Sequence, residues 1–206
     1  PNLSKNYNNV EGAPISVMIF GSRNQLAPLV YESFDWNHGV FIGATMGSKT
    51  NATMAGAPVV RRDPMAMLPF CGYNITDYLT HWVDMGSRIV NKPRIFHVNW
   101  FKKDNNGKYI WPGYKENIRV LEWIIKRVNN QVSAVETPIG YIPNIEDLNL
   151  KSLNLSDNQF KLLFNIDIDQ WLTEFKIIND FFNKIHVNNT LQKQYTLVKE
   201  RLVASE

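Results

Sequence analysis

Residues Arg94–Asn117, RIFHVNWFKKDNNGKYIWPGYKEN, constrain the chain more than any other stretch. Ile95, Phe96, Val98 and Trp100 are β-branched, aromatic or otherwise apolar, as a half-buried strand favours. Asp104-Asn105-Asn106-Gly107 then supplies residues that tolerate positive φ, which predicts a sharp turn. Tyr109, Trp111, Pro112-Gly113 and Tyr114 follow, and Lys115-Glu116-Asn117 leads into a helical run. The expected fold class is α/β, with short mixed β-strands and a helical carboxy-terminal end.

Five aromatic residues (Trp100, Phe101, Tyr109, Trp111 and Tyr114) flank that polar turn. Such rings either pack the hairpin onto a core or hold a flat heteroaromatic ligand between π-faces. Stacking does not tell one base from another. An edge-reading group must do so, and the Asn117 amide carries both a donor and an acceptor.

Around this stretch the chain reads as short strands with a helical carboxy-terminal end. Residues 1–13 are polar and Asn-rich, a loose lead-in. Ile15–Phe20 is a short apolar strand, and Leu29–Tyr31 begins another. Trp36–Met46 has helical spacing. Gly47–Ala57 is small and polar, and such segments open easily because few contacts hold them. Ile75–Ile89 is expected to be a helix capped by Asn74 or Thr76, with Leu79, Trp82 and Val83 inward. Ile118, Leu121, Ile125 and Val128 predict a second amphipathic helix, with Arg119, Lys126 and Arg127 outward. Gln131–Leu155 is loop-rich, with an extended TPIGYIP segment. Packing helices close the chain over 156–204: Ser156–Phe164, Asp167 to about His186, and Thr190 to about Ala204. Trp171, Phe175, Ile178, Phe182 and Ile185 form one stripe, and Leu191, Tyr195, Val198 and Leu202 another, both read as helix–helix packing.

A net charge of +3 on 206 residues argues for neither a nucleic-acid nor a membrane partner. No apolar run approaches the roughly 20 residues that span a bilayer. A single cysteine excludes an internal disulfide and fits a reducing, cytoplasmic compartment. That residue, Cys71, is expected to be buried and inert, since no His/Asp pattern stands near it. His38, His81, His97 and His186 lack metal-ligand spacing, so no metal site is expected. The first residue is Pro, which suggests an excised piece of a longer chain.

Several motifs carry a resemblance. FHVNWF, the basic pair Lys102-Lys103, Asp104-x-x-Gly107-Lys108, the WPG turn, Glu116-Asn117 and Arg119-Val-Leu-Glu-Trp123 resemble the guanine site of GTP-dependent phosphoenolpyruvate carboxykinase. PIxxxIFGxR followed by PLVYE, and RRDPxAMLPFCGYN over 61–74, are similar to the same family. The resemblance implies that Trp100, Phe101, Tyr109 and Tyr114 enclose guanine, that Phe70 helps wall the pocket, and that Asn117 reads the base edge. It makes Tyr114, Lys115, Glu116 and Asn117 the nucleotide contact and places Arg23 on the transferring phosphoryl group. Gly47–Ala57 then corresponds to the mobile lid over the active site.

The family implies a lyase that decarboxylates oxaloacetate and transfers phosphoryl from GTP, yielding phosphoenolpyruvate, GDP and carbon dioxide. It also implies Mn2+, and Mg2+ with the nucleotide, but the manganese ligands and the glycine-rich phosphate loop have no counterpart here. The sequence corresponds to the family's carboxy-terminal third. Alone it is therefore expected to be inactive, its partner being the rest of the carboxykinase chain. The other reading is a stand-alone, non-catalytic nucleotide-binding or structural module.

Overall fold

The strand Arg94–Val98 (β5) is buried at Ile95 through Val98, on both faces, as a central strand must be. The computed structural model describes residues 3–49 and 60–206. In it β5 pairs in parallel with Val17–Gly21 (β1) and antiparallel with Val30–Glu32 (β2). Val135–Thr137 (β6) and Gly140–Ile142 (β7) form a hairpin that extends the sheet, giving the order β1-β5-β2-β7-β6. The extended TPIGYIP segment thus supplies β7 and the end of β6.

Alternation along β5 divides the core. Ile95 packs with helices Trp36–Ala44 (α1), Ile168–Ile185 (α5) and Asn189–Val203 (α6), through Phe41, Phe175, Phe182, Tyr195 and Leu202. Phe96 and Val98 face the other way, onto Trp111 and Trp123, the latter from helix Asn117–Val128 (α3), with Leu163 of Asp157–Phe164 (α4) beside them. The outcome is an α/β fold with helices on both faces of a mixed sheet.

Helix Ile75–Arg88 (α2) is capped by Asn74, whose Oδ1 accepts from Thr76 N at 3.0 Å, and Leu79 is fully buried. The carboxy-terminal helices start where Ser156, Asp167 and Asn188 cap them, and their expected stripes face inward. Residues 3–13 are exposed throughout.

Three expectations change. α3 is a helix, but it buries Val120, Trp123 and Ile124 and leaves Ile118, Leu121 and Ile125 exposed. Both sets recur at helical spacing; the Trp123 indole, the largest apolar surface, sets the phase, and Arg127 turns inward to Glu32. Cys71 is half-exposed rather than buried, at the end of a short 3₁₀ turn, Leu68–Phe70. Finally, Gly47–Lys49 (β3) pairs with Val60–Arg62 (β4), so the first residues of the expected lid are a strand; the lid's remainder, 50–57, lies outside the described residues.

Candidate nucleotide site

Parallel pairing sets Gly21 opposite Val98, so the loops after β1 and β5 leave the sheet side by side. Carboxyl ends of strands in open α/β sheets are where ligands usually bind. Two side chains stitch these loops together. Asn99, fully buried, donates from Nδ2 to Asn24 O (3.0 Å) and Ala27 O (2.9 Å), and its Oδ1 accepts from Phe101 N (3.2 Å). Gln25 donates to Phe101 O (3.1 Å) and accepts from Lys103 N (2.9 Å). The Arg23 guanidinium consequently lies over the Phe101 ring, 4.8 Å from its centroid. A concavity of about 310 Å³ opens there, lined by Gly21, Ser22, Arg23, Ser48, Val98, Trp100 and Phe101. That volume reaches the lower end of the range for small-ligand pockets.

Beneath Arg23 a buried polar relay fixes the loop. Asn24 Nδ2 donates to Ser22 Oγ (2.7 Å), and Ser22 Oγ shares a hydrogen bond with His97 Nε2 (2.8 Å). Burial lowers the His97 pKa to about 4, so the imidazole in this bond is neutral near pH 7. Arg23 N donates to Ser48 Oγ (3.1 Å), which ties this loop to β3.

The hairpin turns as its sequence requires. Asp104 Oδ1 accepts from Asn106 N and Lys108 N, and Gly107 sits at φ +77°, where other residues are strained. Gly113, at φ +96°, lets its carbonyl accept from both Glu116 N and Asn117 N, which aims the start of α3.

The predicted ring residues do not form one closed cage. Phe101 meets Tyr109 edge to face, with centroids 6.0 Å apart, while Trp100 stacks on Trp111 at 6.4 Å. Tyr114 is 96% exposed, and neither it nor Phe70 makes a ring contact among the described residues. Lys115 is exposed. The Glu116 carboxylate is held by Arg119 Nε at 2.6 Å, and its backbone N–H and C=O bond to Gly113 O and Arg119 N. Asn117 stands in the first turn of α3, and its Oδ1 accepts from Trp111 Nε1 at 2.7 Å.

Of the candidate residues, then, the structure brings Arg23, Trp100 and Phe101 to one concavity and links Tyr109 and Asn117 to it through neighbours. Asn99, Gln25 and Ser48 were not singled out from sequence, and Trp111 entered only as one of the five aromatics around the turn. The one available signal was a buried-strand pattern interrupted by an amide, HVNWF. Among the described residues no group of three or more His, Cys, Asp or Glu side chains could hold a metal ion.

Residues 1–201 match the family described as phosphoenolpyruvate carboxykinase C-terminal P-loop domain. The chain belongs to the GTP-dependent phosphoenolpyruvate carboxykinase family. It is 51% identical over 205 residues to the phosphoenolpyruvate carboxykinase (GTP) of Thermoplasma volcanium, covering 98% of this chain and 34% of that protein. To the one named for Anaeromyxobacter dehalogenans it is 45% identical over the same length, with the same coverage. The Chlamydia abortus carboxykinase is 48% identical over 185 residues, covering 88% of this chain and 31% of that protein. The carboxykinase chain therefore spans about a third of the length of the curated relatives it matches. Their family description names a P-loop, yet no Gly-Lys-Thr or Gly-Lys-Ser occurs in these residues.

Proposed function

We propose that this chain is the guanine-recognising portion of a GTP-dependent phosphoenolpyruvate carboxykinase. The observation that carries the reading is the juxtaposition of Arg23 with Trp100 and Phe101 at one concavity, in a chain of that family. A base stacks on the aromatic faces, Asn117 reads its edge, and the Arg23 guanidinium meets phosphoryl oxygens. The Ser22–His97–Asn24 relay holds Arg23 in place without itself changing charge near neutral pH.

In the longer enzyme, oxaloacetate loses carbon dioxide and the resulting enolate oxygen takes the γ-phosphoryl group of GTP, releasing GDP. Transfer of this kind depends on positioning and on neutralising charge at the phosphoryl oxygens. Arg23 contributes to the second task. The described residues offer no metal cluster, so Mn2+ and Mg2+ enter this reading only through the rest of the enzyme. Gly47–Ala57 corresponds to the family's lid in this reading, and the single cysteine fits a cytoplasmic setting.

The test is Asn117→Ala in the full-length enzyme. An unmatched polar pair costs about 1–3 kcal/mol, so kcat/KM for GTP should fall about 10- to 100-fold while the KM for oxaloacetate stays unchanged. Equal loss for both substrates would defeat the assignment.

A further inference from the structure

We infer that Trp111 is a specificity-determining positioning residue, which orients the Asn117 amide so that it selects a purine with an oxygen at position 6 over one with an amino group. The inference rests on the guanine-site reading above and assigns the polarity of its edge-reading group.

An asparagine side chain is ambiguous, because one end accepts and the other donates. A freely rotating amide would turn its oxygen to adenine's amino group as readily as its nitrogen to guanine's oxygen. Here rotation is blocked. An indole N–H only donates, so the group facing Trp111 Nε1 must be the amide oxygen, and it lies at 2.7 Å. The indole cannot swing to follow it: Trp111 is 2% exposed, packed with Phe96, Val120 and Trp123, and stacked on Trp100. The Asn117 backbone is fixed as well, its N–H donating to Gly113 O. What remains is the Asn117 NH2, which bonds to none of the described residues and can only donate. A 6-oxo group accepts from it. A 6-amino group presents a second donor and leaves both unpaired, the mismatch by which polar sites reject an analogue.

The test uses the full-length enzyme and compares kcat/KM for GTP, ITP and ATP. Trp111→Phe keeps a ring but deletes the N–H. Because it also opens a buried site, a second variant carries benzothienylalanine at position 111, which keeps the bicyclic shape and replaces N–H by sulfur. The expected result in both is a GTP-to-ATP ratio lowered about tenfold, with ITP moving alongside GTP and the KM for oxaloacetate unchanged. A ratio that stays fixed in the benzothienylalanine enzyme, whether or not overall activity drops, overturns the inference. Asn117→Asp separates this failure from that of the parent reading. An aspartate can only accept at this edge, so selection should shift toward ATP. If Asn117→Asp shifts selection and the position-111 variants do not, the guanine reading stands and the role of Trp111 falls. If Asn117→Asp leaves the ratio unmoved, Asn117 does not read the base and both fall.

Discussion

The two ends of β5 set similar residues in opposite surroundings. At the Arg94 end, the buried Glu32 carboxylate is gripped by Arg94 Nη1 (3.2 Å) and Arg127 Nε (2.8 Å). Arg94 also donates to Arg127 O and Asn130 Oδ1, and Arg127 to Val132 O. Guanidinium, carboxylate and amide close on one another there. At the Val98 end another arginine, Arg23, lies over Phe101 and lines a concavity, while another asparagine, Asn117, gives its Oδ1 to Trp111 Nε1 and its NH2 to none of the described residues. Residue type alone does not say whether a polar group closes the fold or lines a cavity.

The sharpest way to break that contrast is Glu32→Ala. Removing the carboxylate leaves two guanidinium groups facing a buried site, so stability should fall by about 3–5 kcal/mol in urea denaturation. The GTP-to-ATP preference should not move. A loss under about 1 kcal/mol would mean that the closed end is far wetter than its burial indicates.

Acid should act through two buried histidines. His97, hydrogen-bonded to Ser22, has its pKa lowered to about 4, and His38 accepts from Phe34 N (3.0 Å) with its pKa lowered to about 3. Burial is the main cause for both, and Arg201 adds to it at His38. A folded pKa below the unfolded value of 6.5 means that the unfolded chain binds the proton first. Stability contributed by these groups is thus complete above 6.5 and lost as pH falls toward 4, at up to about 1.4 kcal/mol per pH unit for each. Urea unfolding at pH 7 and pH 5 measures this, and His97→Asn should flatten the dependence. Equal stability at the two pH values would contradict a neutral, buried His97.

The same contrast explains what the sequence made legible. The first two carboxy-terminal helices were readable to their caps, Ser156 and Asp167, and the third to within two residues of its cap Asn188, because caps act within three residues and the stripes at Phe175–Phe182 and Leu191–Leu202 have a single apolar face. The turn at Asp104–Gly107 was readable for the same local reason. On α3 the period was legible but the phase was not, since Ile118, Leu121 and Ile125 compete with Val120, Trp123 and Ile124. The site's residue types were legible from the motifs they share with the carboxykinases. Its stitching was not: Asn99 to Asn24 and Gln25 to Phe101 each span more than seventy residues, and no local spacing encodes them. Trp111 and Asn117 are only six apart, yet what joins them is the positive φ at Gly113, a backbone fact.

The smallest effects should separate the rings of the ligand end from one another. Phe101 is half-buried and carries the Arg23 guanidinium on its face, whereas Tyr114 is 96% exposed and touches no other ring among the described residues. A ring that contacts only solvent stabilises nothing in the folded chain, so Tyr114→Ala should change unfolding free energy by less than about 0.5 kcal/mol. Phe101→Ala should lower it measurably, because it removes both the edge-to-face contact with Tyr109 and the cation–π contact, each worth about 0.5–1.5 kcal/mol. For nucleotide the two should behave alike. A ring that stacks on a base adds about 1–3 kcal/mol whichever base it is, so each variant should weaken GDP and ADP by the same factor in a fluorescence titration of the full-length enzyme. If Tyr114→Ala leaves both affinities unchanged, Tyr114 is a surface residue and the stack is built from Phe101, Tyr109 and Trp100. If it weakens GDP alone, this ring contributes to base selection, and the division between stacking faces and an edge-reading amide is wrong at that position.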